Sequence, residues 1–117
     1  ANIEWLDDAL PLLPGLADRA GQFHVVVLTA VWMHLDRVQR TLAMPVLTAL
    51  AAPGGLIVLS LRHGPVPEGR VMFDVRAPET VELAREHGLD PVLDKRDQPS
   101  AYSRKDITWT WLAFRKP

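Results

Sequence analysis

The side chains able to do chemistry in this 117-residue sequence are four histidines, a scatter of arginines and carboxylates, and no cysteine. His34 follows an apolar run, in Val31-Trp32-Met33-His34-Leu35. An imidazole titrates near neutrality, so at that position it suits a general base or a substrate-orienting group; the plain alternative is a structural residue at a helix start. Arg62 and His63 stand side by side after a second apolar run, in Leu61-Arg62-His63-Gly64-Pro65. A guanidinium offers a forked set of donors that matches a carboxylate or phosphate, and the alternative is a solvated loop. Asp7 and Asp8 follow Trp5-Leu6 as either turn residues or acceptors at a strand end.

Other patterns exclude chemistry. Without cysteine there are no disulfides and no thiolate metal sites, and no His, Asp or Glu cluster has metal-ligand spacing, so no metal is expected. No Gly-x-Ser-x-Gly elbow occurs. Gly54-Gly55 follows a helical segment and precedes an apolar run, the reverse of a dinucleotide fingerprint, and reads as a turn. Trp109 and Trp111 lie two apart, hence on one face of a strand: core beneath a helix, or a stacking platform.

These residues need elements to position them. Phe23 to Ala30 is a nearly continuous β-branched run, as expected of a parallel strand buried on both faces. Asp36 with Gln39 three residues on forms a capping box, opening a helix from about Arg37 to Ala51. Pro45 should kink or restart that helix, and Pro53-Gly54-Gly55 should stop it. Leu56 to Leu61 reads as the next buried strand, and Arg62 to Gly69 as a loop. Val71 to Val75 suits a short extended stretch, and Pro78 to His87 a second helix closed by Gly88. Leu89 to Leu93 and Ile107 to Phe114 read as strands, with a polar loop from Asp94 to Asp106 between them. Ile3 to Leu6 alternates weakly as a short first strand. Strands alternating with helices give an α/β fold with a mostly parallel sheet. The last two strands lack a helix between them and should form an antiparallel hairpin. In such sheets ligands sit outside the carboxyl ends of the strands, which selects Asp7–Leu10, Thr29–Leu35 and Arg62–Pro65.

Composition sets the bounds. Hydrophobic residues make up 48% and charged residues 23%, ordinary for one small globular domain. The formal net charge of -1 and the lack of a basic cluster argue against nucleic acid as a partner. No apolar run reaches the roughly 20 residues of a membrane helix, and the acidic start (Glu4, Asp7, Asp8) does not suit a signal peptide, so no membrane partner and a cytoplasmic address are expected.

Three segments, in this order and spacing, resemble the Rossmann-like (class I) S-adenosylmethionine (SAM)-dependent methyltransferases. They are Ile3-Glu4-Trp5-Leu6-Asp7-Asp8-Ala9, like that family's third strand; Phe23 through Leu35, like its fourth strand and the turn after it; and Leu50 through Ser60, like its helix, Pro-Gly-Gly turn and fifth strand. Leu89 to Phe114 is similar to the family's closing antiparallel hairpin. The resemblance implies a partial methyltransferase sheet, strands equivalent to 3–7, taken from a full order of 3-2-1-4-5-7-6. It implies that Asp8 accepts a hydrogen bond from the adenine amino group, that the Ala9 amide meets the ring, and that Thr29 and Ala30 line the methionine part of SAM. Trp32 would then pack on cofactor or substrate, with core packing as its alternative. Arg62 and His63 would face a small-molecule substrate, and His34 or His63 would serve as base. Nothing in residues 1–117 resembles the family's glycine-rich loop or acidic ribose ligand. The chain therefore reads as a single partial domain of a SAM-dependent methyltransferase, inactive by itself, or alternatively as a non-catalytic Rossmann-like interaction module. With two central strands missing from this order, Ile3 to Leu6 loses its neighbour and the strand Val25 to Leu28 becomes an edge, and a homo-oligomer, a twofold dimer whose contact includes Ile3 to Leu6 or Val25 to Leu28, is expected.

Overall fold

The computed structural model describes residues 3–100 and 106–117. A two-turn 3-10 helix (Pro14–Arg19) leads into strand β1 (Phe23–Leu28), and a short 3-10 turn (Trp32–His34) follows it. Helix α1 (Arg37–Leu50), strand β2 (Ala51–His63), helix α2 (Ala77–Glu86) and strands β3 (Asp90–Pro99) and β4 (Thr108–Arg115) complete the order. The sheet runs β1-β2-β4-β3, with β1 parallel to β2, and β4 antiparallel to both of its neighbours. This is the α/β fold expected, with its terminal antiparallel hairpin.

Helix α1 begins where the capping box requires. Asp36 Oδ1 accepts the Gln39 amide at 2.8 Å, while Gln39 Oε1 accepts the Asp36 amide at 2.9 Å, so two otherwise orphaned donors are satisfied. Its buried residues Arg40, Ala43, Met44, Leu47 and Leu50 recur at helical spacing and form one stripe. The helix runs unbroken through Pro45, which faces solvent. Arg40 is buried and fastens α1 to α2, donating to the Leu35 carbonyl at 2.6 Å and to Glu79 Oε1 at 3.1 Å.

Strand β2 starts at Ala51, earlier than the Leu56 expected, and absorbs the Pro53-Gly54-Gly55 turn as an irregularity in the ladder: Phe23 faces Ala51, but Val25 already faces Leu56. A Cβ on Gly55 would lie 2.8 Å from the Ala52 oxygen and 3.0 Å from that of Phe23, so only glycine lets the two backbones come this close.

Both helices pack on one face of the sheet. Leu28 of β1, Ile57, Leu59 and Leu61 of β2, and Leu112 and Phe114 of β4 meet Met44 and Leu47 of α1 and Ala77 and Ala84 of α2 in a single core. Full burial of each such leucine or phenylalanine removes apolar surface worth about 1.5–3 kcal/mol from water. Strand alternation sends Val25, Val27, Val58, Trp109 and Trp111 to the opposite face, where no helix lies among the described residues.

Several expectations are corrected. Ile3 to Leu6 is not a strand: it joins no ladder, and Ile3 and Trp5 are exposed. A strand is stable only when its amides and carbonyls find a partner, and here the bidentate Arg19–Glu4 pair tethers the segment instead. The sheet therefore holds counterparts of strands 4-5-7-6 and none of strand 3. β1 is buried on one face only, with Val25 55% and Val27 58% exposed, because it is the sheet edge and helices cover only one side. Trp109 and Trp111 do not lie beneath a helix; Leu112 and Phe114, of opposite parity, do. Val71 to Val75 forms no strand. The polar stretch after Leu93 continues as β3 to Pro99, an edge strand carried by β4 across two irregularities. Residues 101–105 of the expected loop lie outside the described residues.

Candidate functional site at the carboxyl ends of β1 and β2

Parallel β1 ends at Leu28, level with Leu59, while β2 runs on to His63, and three hydrogen bonds tie the segments that follow. After Leu28 the chain turns at Ala30, which holds φ 57°, a conformation non-glycine residues seldom adopt. The Ala30 amide donates to Ser60 Oγ at 2.9 Å, locking the turn onto β2. The segment after β2 then folds back over the end of β1: the Phe73 amide donates to the Met33 carbonyl at 2.8 Å. His34 Nδ1 lies 3.0 Å from the Val71 oxygen. A carbonyl only accepts, so Nδ1 carries the proton, and Nε2 of the neutral ring is left as the basic nitrogen on an exposed side chain.

A cleft of about 340 Å³ opens where β2 ends, walled by Arg62, Gly64, Val66, Met72, Phe73 and the Asp74–Arg76 pair. Arg62 is half-buried there, and its Nη1 points at Met72 Sδ, 3.6 Å away. Asp74 is engaged by Arg76, Oδ1 to Nε at 2.9 Å. Gly64 holds φ 132°, and a Cβ on it would lie 2.4 Å from the Asp106 oxygen, so glycine is required where the chain leaves the strand.

Consecutive residues of a strand face opposite sides, and this separates Arg62 from His63. His63 is buried on the helix-covered face and does not line the cleft. Its Nε2 lies 2.8 Å from Thr110 Oγ1, which itself accepts the Asp97 amide at 3.2 Å. A hydroxyl both donates and accepts, so this bond fits either tautomer of the ring; Nδ1 is buried with no partner among the described residues. Burial lowers the His63 pKa below its ordinary value, and Arg76 adds to this against the weaker pull of Asp97 and Asp74.

The remaining predicted residues are distributed unevenly. Thr29 and Ala30 are exposed in the turn after β1. Trp32 is fully buried in the core, with no ring face accessible and its indole N–H without a partner among the described residues. Asp8 is half-buried and bonded within its own segment: Oδ1 accepts the Ala9 amide and Oδ2 the Gly15 amide, each at 2.9 Å. The Ala9 N–H, expected to meet an adenine ring, is thus taken by its neighbour's carboxylate. Thr29, Ala30 and His34 lie just beyond β1, tied to Ser60 and Val71, and Arg62 lies near the end of the neighbouring β2; Asp8 and Ala9 bond within their own segment. Sequence reasoning missed Phe73 and the Asp74–Arg76 pair, because Val71–Val75 carries the alternation of a strand. The available signal was a phenylalanine isolated in a stretch between Gly69 and Pro78. No cluster of three metal-ligating groups exists among the described residues.

No protein-family model and no curated protein matches the sequence. Solved structures do match the fold. The chain is similar to 1,6-didemethyltoxoflavin-N1-methyltransferase from Burkholderia thailandensis (TM-score 0.67, 17% identity), covering 83% of this chain and 45% of that one. It is similar to a SAM-dependent methyltransferase from Mesorhizobium loti (TM-score 0.67, 12% identity), covering 92% and 64%. It is also similar to the [4+2]-cyclase SpnF (TM-score 0.57, 12% identity), covering 84% and 51%. The chain spans less than two thirds of the length of each of these structures. With its sheet order β1-β2-β4-β3 and its paired parallel ends, the chain has the fold of part of a Rossmann-like, class I SAM-dependent methyltransferase domain.

Proposed function

We propose that this chain is the carboxy-terminal portion of a SAM-dependent methyltransferase acting on a small molecule, and that these 117 residues do not catalyse alone. The observation that supports the reading is the position of Thr29, Ala30 and His34 beyond β1 and of Arg62 near the end of the adjacent parallel β2, the end at which open α/β sheets bind ligands. The methionine side of such a cofactor fits the exposed Thr29–Ala30 turn. The adenine side does not fit as the residues stand, since the Ala9 amide is already bonded to Asp8. In this reading the Arg62 cleft receives the methyl acceptor, and His34 Nε2 takes a proton from its attacking heteroatom. His63, buried on the other face, supports β4 and does not act as base.

Calorimetric titration tests the proposal. The 117-residue chain is expected to bind SAM with a dissociation constant above roughly 1 mM, an affinity of about 4 kcal/mol. The product of the whole reading frame is expected to bind it in the micromolar range. Micromolar binding by the 117 residues alone overturns the claim of an incomplete site. No binding by the full reading-frame product overturns the methyltransferase reading.

A second reading, a non-catalytic interaction module, is favoured by the outer edge of β1, unpaired among the described residues, and by the exposed Val25 and Val27 on that strand. Unpaired strand amides and carbonyls are a template for another chain. In this reading the protein is a homo-oligomer joined through that edge.

A further inference from the structure

We infer that the cleft at the end of β2 selects an anionic acceptor: a small molecule with a carboxylate or phosphate that Arg62 holds, and an apolar or aryl body that Phe73, Met72 and Val66 cover. This deepens the proposed function and rests on it only in calling the ligand a methyl acceptor.

The charge on the cleft wall is the first argument. Its ionisable residues are Arg62, Arg76 and Asp74, two cations and one anion, a surplus of one positive charge. Asp74 is already committed to Arg76 at 2.9 Å. Arg62 is the surplus cation: no carboxylate among the described residues pairs with it, and its side-chain hydrogen-bond partner among them is the Met72 thioether at 3.6 Å, a weak acceptor. A guanidinium drawn partly out of water without an anion is unfavourable, and a bidentate oxyanion supplies both the charge and the geometry that offset this. The second argument is the rest of the wall. Phe73 is 38% and Val66 49% exposed, so apolar surface faces the opening beside the cation. Placement is the third. The Phe73–Met33 and His34–Val71 bonds hold this wall against the turn after β1, so an acceptor anchored on Arg62 lies at the same edge as His34.

The test is an NMR titration of the isotopically labelled 117-residue chain with phenyl phosphate, benzoate and the neutral analogue benzyl alcohol. Saturable shifts are expected at the Gly64 and Phe73 amides and the Arg62 Nε–H with either anion, and binding of benzyl alcohol is expected to be at least tenfold weaker. The stronger of phenyl phosphate and benzoate identifies the anion as phosphate or carboxylate. Arg62→Gln is expected to weaken anion binding at least tenfold and Arg62→Lys by less, since lysine keeps the charge but not the fork. Shifts centred elsewhere, equal binding of benzyl alcohol, or unaltered affinity in Arg62→Gln overturn the inference. If Arg62→Gln does not fold, the comparison of phenyl phosphate with benzyl alcohol on the unaltered chain decides it. Anion binding here combined with no SAM binding by the full reading-frame product retains the cleft's preference and removes only the methyl-transfer reading.

Discussion

His63 shows how a residue adjacent to a site can be excluded from it by strand parity alone. Its neighbour Arg62 opens into the cleft, whereas His63 turns into the helix-covered core and meets Thr110. Its lowered pKa has a consequence for stability. The folded state favours the neutral ring, so below the ordinary histidine pKa of about 6.5 the unfolded chain binds a proton that the folded chain resists. Stability contributed by the neutral ring is therefore complete above that pH and is lost as pH falls through the window beneath it. Urea unfolding at pH 7.5 and at pH 5 should give a lower midpoint in acid, and His63→Gln should flatten the difference. An acid dependence unchanged in His63→Gln would place its origin elsewhere.

At the level of elements, α1 tests how far a local rule yields to tertiary packing. Proline inside a helix removes a hydrogen bond and costs about 3 kcal/mol. The helix nonetheless stays continuous from Arg37 to Leu50, because Ala43, Met44 and Leu47 bury the stripe around it and the Asp36–Gln39 box secures its start. Pro45 faces solvent, so its removal leaves no cavity. Pro45→Ala should restore the missing donor, and after the entropy gained by the unfolded chain the net stabilisation should be on the order of 1–2 kcal/mol. Chemical denaturation measures this, and a clear loss of stability would show that the proline sets the helix geometry. Strand β3 illustrates the opposite dependence: with half of its residues charged, it is ordered by pairing with β4 and by no burial pattern of its own.

The whole molecule is covered on one side only. Helices α1 and α2 occupy one face, while β1 at the edge presents Val25 and Val27 to solvent on the other, the face that also carries Trp109 and Trp111 of β4. Association through this side is the expected behaviour of the isolated chain. Val27→Lys places a charge on the exposed face of β1 without entering the core, since Val27 is 58% exposed. It should shift light scattering from oligomer towards monomer with little change in folding. Val26 would be a poor choice, because it packs against the core. A stable monomer at high concentration before any substitution, with slowly exchanging β1 amides, would show that the edge is closed within one molecule. No helix among the described residues is long and apolar enough to cross a membrane.

By itself the sequence determined whatever local chemistry suffices to specify. The Asp36–Gln39 box and the continuous apolar runs of β1 and β2 are each readable, because capping and hydrophobic drive act over a few residues. Their order was enough for the α/β class and the terminal hairpin. Tertiary structure decided what depends on partners. Ile3 to Leu6 had a strand's alternation but no neighbour to bond, and remained outside the sheet. Trp109 and Trp111 had the right spacing for one face, but only the placement of both helices settled which face was the dry one. The cleft was beyond reach for the same reason: Phe73 approaches Arg62 through the Phe73–Met33 hydrogen bond across 40 residues of chain, a contact that depends on the whole β1–α1–β2 unit and leaves no periodic trace in the sequence.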